Sequence, residues 1–381
     1  MKILVIHTQY QFYGGEDSVV EQEIELLKRK YTVESIFFKN KPGFKGFIEF
    51  STSIWNLKSA KLVRQKIKTF KPDVVHLHNW HFASGPLIIR SINKLGIPII
   101  HTLHNYRLLC PSGTLLNNQE LFLTSLQQNF PFNAILNKVY RNSILQTFWL
   151  AFIVWFHKKL GTWKKIDKFV CLTKHSEDVF NKSKFNNHIK DIVIKPNFTA
   201  EVNIMLVNKQ DHFLFIGRLS KEKGIENLLS AFIKNKEHLK IAGDGPLKNK
   251  IIQYSNKHEN IEFLGPLKRN EVNQELQQAS ALIFPSIWYE TFGMTIIEAF
   301  SSKCAVITSN IGAPTTIVEN KKNGLHFDFG SVSSLNLAVS KWNAFSEEKK
   351  NEIRVNGFNS FKLRYTSDKQ FDYFSKIYNI K

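Results

Sequence analysis

The 381-residue sequence contains no Asp-x-Asp pair, no Cys-x-x-Cys pair and no uncharged apolar run approaching the about 20 residues that a membrane-spanning helix needs. Its three cysteines, Cys110, Cys171 and Cys304, stand far apart. That spacing excludes a disulfide scaffold or a Cys-rich zinc site and fits a reducing compartment. The N-terminus runs straight into a strand-like segment without the basic, apolar and small-residue order of a signal peptide, so secretion is not expected. There is no internal repeat beyond a two-fold echo of the strand pattern, and no low-complexity tract.

Acidic residues are also scarce. The chain carries 52 Lys and Arg against 32 Asp and Glu, a formal charge of +20. Residues 1–200 hold 28 basic and 13 acidic side chains, net +15, which leaves 24 and 19, net +5, for residues 201–381. The first half is therefore expected to face a polyanion: an anionic membrane surface, a lipid diphosphate or a nucleic acid. No clustered Lys/Arg run with interleaved aromatics supports the nucleic acid.

Hydrophobic residues make up 43% of the chain, enough for two cores. Short apolar runs at Lys2–His7, Thr32–Phe37, Val74–Leu77, Ile97–His101, Phe169–Leu172 and Ile192–Ile194 read as buried parallel strands. A second series begins at Phe213–Ile216 and continues near Leu239–Ile241, Ile261–Phe263, Ala281–Phe284 and Ala305–Thr308. Helical patterns fall between them, at Asp17–Lys30 with Asp17 or Ser18 as the cap, at Leu57–Phe70 and at Leu87–Leu95. Alternation of this kind predicts an α/β protein with two doubly wound parallel sheets. The boundaries expected are 1–196 for the first domain, 197–211 for a linker, 212–364 for the second domain and 365–381 for a final helix.

Residues 111–166 break the rhythm. Ile144–Phe156 is 13 residues long with only two polar side chains, and lysines 158, 159, 164, 165 and 168 follow it around Trp163. Two readings stand at this point. Aromatic bulk beside lysines suits a segment lying at a membrane surface, and an apolar run without a polar face suits a helix buried in the first domain.

The most informative stretch is Glu290-Thr291-Phe292-Gly293-Met294-Thr295-Ile296-Ile297-Glu298. A turn at Phe292–Thr295 opens a predicted helix, Thr295–Phe300. Unpaired amides at a helix start suit a phosphate, and the two glutamates flank that position. This pattern resembles the paired-glutamate motif of glycosyltransferase family 4, retaining enzymes of the GT-B fold. Further segments agree in order. Phe215–Gly224, with Arg218 and Lys223, resembles the strand and loop that open the family's second domain. Ile241–Pro246, with Gly243 and Gly245, resembles its next strand and loop. Tyr13-Gly14-Gly15-Glu16 resembles its glycine loop, and Thr102–Tyr106 its histidine motif. With Cys110-Pro111 the likeness is closest to members that build bacterial surface polysaccharides.

The resemblance implies two Rossmann-like domains facing a cleft, with the final helix, Ser367–Ile380, crossing back to the first. It implies a nucleotide-sugar donor held at Gly14, Gly15, Gly217, Arg218, Lys223, Gly243, Gly245, Glu290, Phe292, Gly293, Met294, Thr295 and Glu298. His104, Glu290, Arg218 and Lys223 become the candidate catalytic residues. Glu298 would hold ribose hydroxyls, Glu290 the donor sugar, and His104 the region of the anomeric carbon, with His101 as its rival. Arg107 is a candidate for acceptor phosphate. Asp17 and Glu16 read as helix-capping acids rather than nucleophiles.

Without Asp-x-Asp, fixed cations and amides would balance the departing diphosphate. No metal and no cofactor is therefore expected, and the histidines at 76, 78, 81 and 101 alternate without an acid or cysteine at ligand spacing. The implied activity is transfer of a UDP- or GDP-linked sugar to a lipid-linked or growing surface glycan. It would take place in the cytoplasm, at the inner membrane face. A soluble sugar or sugar-phosphate acceptor, or a donor-binding subunit without activity, are the alternatives.

Overall fold

The computed structural model describes residues 1–11, 14–204 and 209–379; Tyr13 and Ile380, which entered the sequence reading, lie outside them. The chain forms two compact units. One comprises Met1–Asn117, Phe122–Lys195 and Phe371–Lys381, the other Asn118–Leu121 and Pro196–Gln370.

The first unit is built on strands β1 (Lys2–Gln9), β2 (Thr32–Lys39), β3 (Val74–Leu77) and β4 (Ile99–Leu103). The two-residue strand β5 (Leu116–Asn117) follows in this unit; β6 (Glu120–Leu121) falls in the short segment grouped with the second unit, and β7 (Lys168–Cys171) and β8 (Ile192–Ile194) complete the first. The sheet runs β2-β1-β3-β4-β7-β8, every pairing parallel. Ile3, Leu4, Val5 and Ile6 are all buried, which requires helices on both faces of the sheet and explains the unbroken apolar run. The order reverses between β1 and β3, a topological switch point where the C-terminal strand ends leave a crevice.

The second unit repeats the plan with β9 (Phe213–Ile216), β10 (Leu239–Ala242), β11 (Ile261–Gly265), β12 (Ala281–Phe284), β13 (Ala305–Ser309) and β14 (Leu325–Phe327). Its order is β11-β10-β9-β12-β13-β14, again parallel throughout, with the switch between β9 and β12. Two parallel six-stranded sheets flanked by helices are the GT-B plan. Phe213, Phe232 and Trp342 centre the core beneath this sheet. The Trp342 indole N–H donates to Ser280 Oγ at 3.0 Å, so even the largest core residue has its polar atom paired.

Several boundaries differ from the sequence reading. The first helix starts at Gly15, with Gly14 at the N-cap. Asp17 is not that cap: it lies in the first turn and accepts the Gly14 N–H at 2.9 Å. The helix after the second glutamate loop is Met294–Ser301, and the final helix is Ser367–Tyr378. Residues 197–211 were read as a linker. In its described part Thr199 N–H donates to Tyr365 O at 3.2 Å and Gln210 N–H to Gln278 O at 2.7 Å, bonds within the second unit.

The apolar segment of the first unit divides in two. Helix Ile144–Lys159 buries Thr147, Leu150, Ala151, Ile153, Val154 and His157, while Ile144, Leu145 and Phe148 are exposed. Trp163 is wholly buried, and its indole donates to Val154 O at 3.1 Å. No described helix is long and apolar enough to cross a membrane.

Candidate functional site

In the second unit the candidate residues follow β9, β10 and β12, of which β9 and β12 flank the switch point. Arg218 comes two residues after β9 and is exposed. With Gly217, Gly243, Asp244, Pro266 and Leu267 it lines a cavity of about 230 Å³. Gly243 has φ +143°, and a Cβ there would run into the Gly217 carbonyl oxygen. Glycine at 243 therefore lets the loops after β9 and β10 lie backbone against backbone. Gly245 sits in the same way against Leu219.

Lys223 and Glu290 reach each other from two different loops. The Lys223 ammonium donates to Glu290 Oε1 at 2.6 Å, and the Ser286 hydroxyl donates to the same oxygen at 2.7 Å. The Lys223 ammonium also lies over the Phe284 and Trp288 rings, 5.8 and 5.6 Å from their centroids. Glu290 is buried, and the Lys223 ammonium is the cation paired with it. The glutamate loop is pinned from its far side. Ala313 N–H donates to Glu290 O at 3.1 Å, and Gly312, at φ +67°, lies so close that a Cβ would come 2.9 Å from Glu290 N. Helix Met294–Ser301 starts directly afterwards with Gly293 at φ +122°. Ile296 N–H in its first turn donates to Gly293 O at 3.1 Å, and the amides ahead of it are the donors that the start of a helix offers. Phe292 is buried edge-on to Tyr365, at a centroid distance of 6.0 Å. Glu298 is half-buried one turn inside the helix; its surroundings push its carboxyl upward, and the Arg269 charge works against that.

In the first unit Gly14 and Gly15 open the helix that follows β1. Asp17 ties this loop to the strand: one carboxylate oxygen takes the Gly14 N–H and the other lies 2.9 Å from His7 Nε2. Beside it the Tyr10 hydroxyl donates to Glu16 at 2.9 Å. Burial raises Glu16 to about 7 against the opposing charge of His7, and burial likewise raises the Tyr10 phenol.

His104 lies one residue past β4, with Nε2 2.9 Å from His78 Nδ1. The rings of His76, His78 and His104 form a stack, with successive centroids 4.3 and 5.2 Å apart. Burial holds His76 down to about 4, and His78 and His104 well below the usual histidine range, so all three are neutral at pH 7. His101 is inside β4, packed at 5.7 Å against Phe169 and held down to about 3 by burial. Arg107 lies over the Tyr140 ring at 5.7 Å and donates to Pro111 O at 3.3 Å.

Sequence reasoning missed the floor of this stack. Glu23 is buried on the first helix and accepts from the fully buried Lys195 ammonium at 2.7 Å. His76 Nδ1 lies 2.8 Å from the Tyr378 hydroxyl and Nε2 2.7 Å from Thr102 Oγ1. Ligand atoms of Glu23, His76 and His78 lie within 4.8 Å of one another, a spacing that would admit a metal ion. Protein groups already occupy it: both His76 nitrogens have partners, and the Lys195 charge competes with any cation for Glu23.

The two parallel six-stranded sheets have GT-B architecture. Residues 14–198 match the model described as Glycosyltransferase Family 4, and residues 199–359 match the one described as Glycosyl transferases group 1. The chain belongs to glycosyltransferase family 4. Among curated relatives it is 28% identical over 286 residues to the alpha-monoglucosyldiacylglycerol synthase of Acholeplasma laidlawii, a match covering 69% of this chain and 65% of that protein. It is 24% identical to the O-antigen biosynthesis glycosyltransferase WclY of Escherichia coli, over 96% of this chain and 94% of that one. Among solved structures, sucrose-phosphate synthase from Thermosynechococcus elongatus aligns with a TM-score of 0.71 at 16% identity, over 99% of this chain and 98% of that one. HepE from Anabaena in complex with UDP aligns at 0.66 and 16% identity, over 99% of each.

Proposed function

We propose that the protein is a retaining, metal-independent glycosyltransferase. It moves a sugar from a nucleotide diphosphate, UDP in the favoured reading and GDP otherwise, to a lipid-linked or growing bacterial surface glycan. The observation that carries this is the Lys223–Glu290 pair at 2.6 Å beside the helix start at Gly293, all at the switch point of the second sheet. Lys223 and the exposed Arg218 supply charge for the leaving diphosphate, and the amides of Gly293, Met294 and Thr295 supply donors. Glu298 takes the ribose hydroxyls and Glu290 a hydroxyl of the donor sugar. His104, neutral, accepts or donates one hydrogen bond near the anomeric carbon. The acceptor hydroxyl attacks from the leaving-group side, and the departing phosphate oxygen takes its proton. Such a step needs positioning and charge stabilisation rather than a dedicated base.

The UDP-bound HepE neighbour supports a uridine donor. The O-antigen biosynthesis relative WclY and the alpha-monoglucosyldiacylglycerol synthase relative support a surface glycan or lipid acceptor. Calorimetry with UDP and GDP in the presence of chelator tests the donor half. Metal-free binding of one nucleotide, weakened about tenfold or more in Glu298→Ala, is expected. Binding of neither nucleotide by the folded wild type would overturn the assignment.

A further inference from the structure

Helix Gly43–Thr52 reverses the usual arrangement of an amphipathic helix. Phe44, Phe47 and Ile48 fall at i, i+3 and i+4 and so share one face, the stripe that normally meets a core. Here Phe44 is 77% and Phe47 62% exposed, and no residue of the helix is buried. The helix is nevertheless firmly attached. Trp149 Nε1 donates to Phe50 O at 2.8 Å, and the Phe50 ring packs edge-on to Phe82 at 5.0 Å. Through Trp149 it is joined to helix Ile144–Lys159, whose first turns expose Leu145 at 79% and Phe148 at 43%. Leu136, on the short helix Phe132–Leu136 before it, is 74% exposed.

The sequence flanking these side chains is predominantly basic. Residues 39–61 contain five lysines and a single acid, Glu49, which takes the Lys41 N–H at 3.1 Å and lies 3.7 Å from its ammonium. Residues 130–148 contain Lys138 and Arg141 and no acid.

We propose that this face of the first unit docks on an anionic lipid bilayer. Phe44, Phe47, Ile48 and Leu145 enter the headgroup layer, and the surrounding lysines meet lipid phosphates. A ten-residue helix cannot span, but it can lie in the interface with its aromatic stripe down. A second copy of the chain is a poorer partner, because self-pairing would set lysine against lysine. The proposal deepens the lipid-linked acceptor part of the function above and rests on it. It also moves the contact away from the lysine-rich turn at 158–168, where Trp163 is buried in the unit itself. A cavity of about 210 Å³ lined by Lys41, Glu49, Phe50, Phe82, Tyr140 and Arg141 opens beside the same helix, with Glu49 3.7 Å from the Lys41 ammonium. Docking would hold its two cations at headgroup depth.

The test is flotation of the full chain with vesicles of phosphatidylcholine alone and of phosphatidylcholine mixed with phosphatidylglycerol. Binding to the mixed vesicles, weakened by salt, is expected. Phe44→Ser/Phe47→Ser should lower partitioning about tenfold or more, and Leu145→Ser/Phe148→Ser should lower it as well. All four side chains are exposed enough that folding should persist, and UDP or GDP binding in the same variants checks this. Wild-type partitioning by Phe44→Ser/Phe47→Ser, or no binding to either vesicle, would overturn the proposal. So would a wild-type dimer that this substitution dissolves, since the second copy would then be the occupant. Vesicle binding without nucleotide binding would leave the docking surface standing and remove the transferase reading instead.

Discussion

The Lys223 ammonium stands 2.6 Å from Glu290 Oε1, although the two residues are 67 positions apart and belong to loops after different strands. Each holds the other in place before any donor arrives. Lys223→Ala would leave Glu290 buried with Ser286 as its hydroxyl partner. Loss of transfer efficiency of about a hundredfold or more is expected, on the order of 3 kcal/mol of transition-state stabilisation. Steady-state kinetics of donor turnover read this directly, and a variant within twofold of wild type would remove Lys223 from the proposed role.

Gly243 gives a cleaner structural test. Its φ of +143° and the Gly217 carbonyl beside it leave no room for a methyl group. Gly243→Ala should cost about 2–4 kcal/mol of stability, measured by urea denaturation. Gly161→Ala is the control: it also has positive φ, but nothing lies within 4 Å of its Cβ position, so it should cost about 1 kcal/mol.

Buried Glu23 and Lys195 form an ion pair on which the histidine stack rests. Removing one partner leaves an uncompensated charge, so Lys195→Met should lower stability by about 3–5 kcal/mol. Replacing both, as Glu23→Gln/Lys195→Met, should recover much of that. A double variant as unstable as the sum of the singles would show that the two charges are not coupled.

Stability should fall on acidification. His76, held to about 4, and His101, held to about 3, bind protons more readily when unfolded. Their contribution is present above about pH 6.5, the unfolded value, and is lost as pH falls toward the folded values. Each is worth on the order of 3–5 kcal/mol. Glu16 works in the opposite direction, favouring the folded state below its folded value of about 7, but the depressed histidines outnumber it. A melting temperature that rises between pH 7 and pH 4 would contradict this balance.

Much of the fold was legible because the strands are short and apolar. Val74–Leu77, Phe213–Ile216 and Ala281–Phe284 stand where the sequence placed them. β14 was missed, since Leu325–Phe327 is too short to show a period. Helix Gly43–Thr52 was missed because Pro42, Gly43 and Gly46 look like a loop, and its apolar stripe faces outward. Gly46 belongs there because a Cβ would strike the Lys41 carbonyl. The glutamate loop was readable because its turn and both acids lie within nine residues. The Glu23, Lys195, His76 and Tyr378 cluster was not: its bonds join residues 172 and 302 positions apart, and no local pattern carries such a pairing.

That last pairing also orders events in time. Tyr378 bonds to a histidine of β3, and Phe374, fully buried, lies beneath the Lys195 ammonium, 5.1 Å from ring centroid to nitrogen. On the ribosome these side chains appear only after all of the second unit has been made. The first unit, though synthesised first, can complete its core only once these late residues emerge.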